Sequence, residues 1–147
     1  MNKLIHLLAT LIILGNLFII GLAAYWQFQP YELPYIQEPI EILNENNEIA
    51  VGEPIKMHLY IVKNKEVRAV NQTPRIECES GNLVTLVGKA RDLPVGSYSL
   101  TSDKYLLPPK VLVGDTCEFF FQTTFEINPL KTAQQDWVSE QFKVVER

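Results

Sequence analysis

The sequence predicts a mainly β protein with one N-terminal transmembrane helix followed by an antiparallel sandwich or barrel of seven or eight short strands. Three observations carry that expectation. Leu4 to Trp26, "LIHLLATLIILGNLFIIGLAAYW", contains no Asp, Glu, Lys or Arg. From about Glu38 onward apolar side chains recur every second residue, not every 3.6. Turn residues interrupt that alternation about every ten residues. A chain of 147 residues, 47% apolar and 20% charged, holds one globular domain plus an attachment, not two domains. The predicted division is an anchor helix over 1–26, a Pro-rich stalk over 27–37 and the β-domain over 38–147.

The apolar segment comes first. Its length, at about 1.5 Å per residue, crosses a hydrocarbon core of about 30 Å. A cleaved signal peptide competes, because Lys3 precedes the run and "GLAA" offers small residues to a peptidase. The run exceeds a secretory apolar region and ends in Tyr25 and Trp26, as an interfacial aromatic belt does, so an uncleaved anchor is expected. Asn16 falls near mid-membrane and either contacts another helix or bonds back to its own. All 17 acidic residues and 12 of the 13 basic ones, all but Lys3, follow Trp26, and none of those 12 precedes Lys56. This asymmetry predicts a cytoplasmic N-terminus and a periplasmic or extracellular domain. The acidic balance outside argues against nucleic acid or anionic lipid as partner. Pro30, Pro34 and Pro39 in "QFQPYELPYIQEPI" block helix and predict the extended stalk.

Strands follow in order. "PIEIL" reads as a short strand ended by the turn "NENNE". After "VGEP", Ile55, Met57, Leu59 and Ile61 alternate with Lys56, His58, Tyr60 and Val62, a half-buried strand. "PRIECES", "NLVTLVGKA", "GSYSLTS", "KVLVG", "CEFFFQTTFEI" and "SEQFKVVE" continue the series, separated by "SGN", "RDLPVG", "LPP", "GD" and "NPLK". In the Phe-rich strand, Cys117, Phe119, Phe121, Thr123 and Phe125 share the core face, while Phe120 is the one aromatic on the opposite, polar face. Phe120 is expected either to border a ligand patch or to lie under a loop such as 128–137.

Cys78 and Cys117 are the only cysteines, and an external location permits oxidation. A bridge would close a loop of about 39 residues, worth about 4 kcal/mol in a chain-entropy treatment. Two free buried thiols are the alternative. No metal site or cofactor is expected, because His58 is the only external His and neither Cys has a second ligand nearby in sequence. No phosphate loop, nucleophile elbow or HExxH occurs, so no catalytic residues and no enzyme activity are predicted. Lys63, Lys65, Arg68 and Arg75 in "VKNKEVRAVNQTPR" are the only basic concentration of the domain. They read as a solvated loop or, together with Phe120, as a contact for an acidic partner. Asn71-Gln72-Thr73 is a formal glycosylation sequon.

"VGEPIKMHLYIVKN", "LPVGSYSL", "LPPKVLVGDTCEFFFQTTFEINPL" and "SEQFKVV" resemble the small immunoglobulin-like proteins, often membrane-anchored at the N-terminus, of tailed phages and bacteria. The resemblance spans roughly residues 50–145 and implies an Ig-like sandwich, not an activity. The chain departs from true immunoglobulin domains. The strand at 55–63 has no Cys to pair with Cys117, no Trp follows on the next strand, and Asp115 stands where a tyrosine corner would place Tyr.

The expected function is therefore a non-enzymatic, membrane-tethered binding or assembly module with a protein partner. A periplasmic accessory factor to a membrane enzyme complex, using the Cys pair for redox or metal handling, is the alternative.

Overall fold

The computed structural model describes residues 2–88 and 93–146. Lys89 and Ala90 of the expected fourth strand, Arg91 and Asp92 of the turn after it, and the side chain of the sequon's Asn71 lie outside the described residues.

Helix α1 runs Asn2–Phe28 and is long and apolar enough to cross a bilayer, a property it shares with signal sequences. Its polar interruptions are satisfied internally. Asn16 Nδ2 donates to the Ile12 carbonyl at 2.9 Å, and Thr10 Oγ1 to that of His6 at 2.9 Å.

The remainder is β. The strands are β1 (Tyr35–Gln37), β2 (Glu41–Ile42), β3 (Glu48–Ala50), β4 (Pro54–Lys63), β5 (Ala69–Cys78), β6 (Leu83–Thr85), β7 (Gly96–Leu106), β8 (Thr116–Asn128), β9 (Lys131–Val138) and β10 (Phe142–Val145). They form two sheets. In the smaller, β7 pairs along one edge of β4, and β1 and β2 share the other. In the larger, β5 covers one edge of β8, while β9 and β10 divide the opposite edge. Period-two alternation builds both inner faces. Ile55, Met57 and Ile61 of β4 are buried, and so are Ile76 of β5 and Cys117, Phe119, Thr123 and Phe125 of β8. The sheets share one core, in which Tyr35 of the small sheet meets Phe125 and Trp137 of the large one edge-to-face at 6.2 and 5.5 Å.

The structure departs from the sequence expectations in several places. The described residues form ten strands: β2 and β6 are the expected "PIEIL" and "NLVTLVGKA" cut to two and three residues, whereas β1 and β3, three residues each, fall below what alternation can register. "KVLVG" is no strand. Pro108 and Pro109 impose turns, closed by Val111 N to Pro108 O and Asp115 N to Leu112 O, and only Val111 is buried. Residues 128–137 are not a loop: Pro129 and Leu130 form a tight turn into β9, with Asn128 Oδ1 accepting the Leu130 amide at 3.0 Å. Of the loop expected across "VKNKEVRAVNQTPR", residues 64–68 are irregular, while Ala69 onward is instead the first half of β5. Pro74 is tolerated there because its carbonyl accepts the Leu86 amide, so its missing N–H falls on the same side, just beyond the end of β6. Among the named strands one pairing, β3 with β10, is parallel, with Glu48 opposite Lys143, and the isolated bridge Ile40–Ser139 is parallel too. Tyr35 to Gln37, expected in the stalk, join the small sheet as β1.

Candidate functional site

Cys78 and Cys117 lie directly opposite one another on β5 and β8 and are bridged, with their Cα atoms 4.0 Å apart. That is closer than the usual 4.4–6.8 Å range. The Glu79 amide donates to the Thr116 carbonyl in the next pair, so the cysteines occupy a non-hydrogen-bonded position, where antiparallel strands approach most closely. The bridge is within one sheet, unlike the inter-sheet bridge of immunoglobulin domains. The Asp115 carboxylate sits beside it, one of its oxygens and both sulfurs lying within 4.8 Å of one another, and Ser80 Oγ donates to that carboxylate. While the sulfurs are joined neither is a thiolate, so neither can ligate a metal.

The four cations do not form one surface. Lys63 is 1% exposed: its Nζ donates to the Val67 and Leu93 carbonyls at 3.2 and 2.6 Å, lies 3.6 Å from Glu66 and faces the Tyr35 ring. It is therefore a structural cation and presents no charge to a partner. Lys65 is paired with Glu32 at 2.7 Å, and this contact, with the attraction it brings, holds the Glu32 carboxyl below its ordinary value. Arg68 is exposed, and its carbonyl accepts the Glu126 amide. Arg75 lies over the Phe120 ring at 4.0 Å and donates to Glu77 on the same strand. Phe120 is thus half-covered by Arg75 and not by a loop.

Sequence reasoning missed a line of polar groups across the outer face of the small sheet. His58 Nδ1 meets the Glu41 carboxylate at 3.1 Å, and its Nε2 meets Ser99 Oγ at 2.7 Å. The order of groups matches a nucleophilic triad. The surroundings do not, because Glu41 is well exposed, the residues lie on an open sheet face, and neither of the two clefts found among the described residues is lined by them. The line bridges β2, β4 and β7 across the sheet.

The concave feature is a cleft of about 210 Å³ on the side where β7 ends the small sheet. Leu59 and Leu100 form one wall, and Phe121 and Trp137, stacked with centroids 5.3 Å apart, form the other. Gln72, Ser102 and Lys104 supply polar rim atoms. The Trp137 indole N–H is buried and has no hydrogen-bond partner among the described residues. Tyr105 also lines the cleft, and burial raises its phenol above the ordinary value of 10.0. Its ring reaches over Gly88, where a Cβ would come within 2.7 Å of the hydroxyl. Along the cleft, the eleven-residue β7 pairs with β4 alone, leaving its other edge without a strand partner among the described residues. At the outer edge of β9 the Ile40 amide donates to Val138 O, and the buried Gln135 Nε2 donates to Tyr35 O.

The chain matches no protein-family model, no curated protein and no solved structure.

Proposed function

We propose that this chain is a non-enzymatic, single-pass membrane protein whose Ig-like β-sandwich is held outside the membrane to bind a protein partner. An extended apolar segment of that partner adds to β7 and places alternate side chains in the cleft. The observation that carries this reading is the coincidence of an eleven-residue strand edge, unpaired among the described residues, with an apolar cleft beside it. Main-chain bonding along an edge supplies affinity in such complexes, and pockets for alternate side chains supply specificity. The charge asymmetry around α1 supports a cytoplasmic N-terminus and a periplasmic or extracellular domain.

The test is a peptide array probed with the full chain in mild detergent. Peptides with alternating apolar residues should bind, lose binding when alternate backbone amides are N-methylated, and lose it to a Leu100→Lys chain. Binding indifferent to both changes, or no binding at all, would refute the assignment.

The position of Asp115 beside the bridge favours a second reading, an accessory factor that handles metal or electrons through the cysteines. Stoichiometric copper binding by the reduced chain, lost in Asp115→Asn, would select it.

A further inference from the structure

We infer that the β8–β9 hairpin tip is a second membrane contact, seating Leu130 in the headgroup region of the bilayer beside the end of the anchor. The inference rests on the reading of α1 as a membrane-spanning anchor.

A helix end leaves its last carbonyls without intrahelical donors, and α1 carries no basic residue in its last turn to offset the partial negative charge there. The hairpin tip supplies both. Asn128 Nδ2 donates to the Trp26 carbonyl at 2.9 Å, and Lys131 Nζ donates to those of Gln27 and Gln29 at 3.4 and 3.2 Å. The same ammonium lies 4.8 Å from the centre of the Tyr31 ring. A turn 102 residues further along the chain thus caps the helix, and the domain is fixed to its anchor by these contacts as well as by the chain between them.

The capping sets the height of the tip. Trp26, with Tyr25 before it, forms the aromatic belt at the end of the expected anchor and belongs at the membrane interface, so a turn in hydrogen-bond contact with its carbonyl lies at that level too. The turn is Pro129-Leu130, and Leu130, 55% exposed, has little protein cover. Tyr31 is exposed alongside. A leucine, a tyrosine ring and an ammonium at headgroup depth match the groups that phospholipid headgroups and upper acyl chains accept. The other end of the thirteen-residue β8 lies about 40 Å along the strand from the tip, at about 3.3 Å per residue.

The test uses the full chain with its bridge closed, reconstituted in phosphatidylcholine vesicles and spin-labelled at one introduced cysteine at a time. Leu130→Cys reports the tip, Leu112→Cys, 61% exposed before the far end of β8, reports the aqueous end, and Leu14→Cys reports the anchor. The label at 130 should show a ratio of oxygen to water-soluble nickel collisions several-fold above that at 112 and below that at 14. Adding Asn128→Ala and Lys131→Ala should lower the ratio at 130 and leave that at 14 unchanged. A label at 130 as aqueous as the one at 112, with 14 still in lipid, overturns the inference and leaves the anchor standing. Nickel access at 14 overturns the anchor itself.

Discussion

Replacing Cys78 and Cys117 together by alanine tests how far the bridge, and not the ladder around it, holds the large sheet. The closed loop spans 39 residues, and constraining a loop of that length in the unfolded chain is worth about 4 kcal/mol. Cys117 is also buried, so truncating its sulfur adds a cavity cost of about 1 kcal/mol. Against this, the β5–β8 pairing runs without the bridge from Ala69 opposite Phe125 to Glu77 opposite Glu118, so the architecture should survive. Unfolding entropy of about 2.1 cal/mol/K per residue over a domain of about 110 residues converts 4 kcal/mol into a fall in Tm of roughly 17 °C. The measurement is thermal unfolding of the full chain in mild detergent by near-UV circular dichroism, in which the loss of signal on melting comes from the packed Trp137 and its neighbours, against a constant background from Tyr25 and Trp26 of the helix. The double variant and the reduced wild type should melt at similar temperatures, both well below the oxidised wild type. Equal Tm values for oxidised and reduced wild type would refute the argument that the bridge restrains the unfolded chain.

Two further outcomes follow from buried polar groups. Lys63→Ala removes the donor to two carbonyls and empties the space its stem fills, so it should cost about 2–4 kcal/mol, readable as a lower denaturation midpoint; an exposed-lysine cost near zero would contradict the burial. Tyr105 has a folded-state pKa raised by burial, so it binds its proton more tightly folded than unfolded. Its contribution is therefore complete below pH 10.0 and is lost as pH rises through the folded value, and Tyr105→Phe should flatten that alkaline decline in stability.

The sequence by itself determined the local elements whose periodicity is uninterrupted. Leu4 to Trp26 carries no charge and forms a helix, the one single-segment structure that would satisfy its backbone in a bilayer, and Asn16 bonds back to Ile12. The alternations at 55–61 and 117–125 assign inner and outer faces because a strand permits no other arrangement. The same alternation also put position 63 inward beside Ile61, but the charge of Lys63 argued the opposite. Only the tertiary structure resolved that conflict, because the carbonyls that accept the ammonium come from Val67 and Leu93, outside the strand. Strand β9 was hidden for a related reason: its inward positions are Ala133, Gln135 and Trp137, and the buried glutamine breaks the apolar signal while bonding to Tyr35 about a hundred residues away. The cleft was not legible, since its walls come from strands paired in different sheets. Nor was the cap on α1, since Asn128 and Lys131 read as ordinary turn residues until the fold brings them to the helix end. What is set within a few residues of chain is written in the pattern; what depends on a donor or wall from a distant segment exists only once the chain has closed.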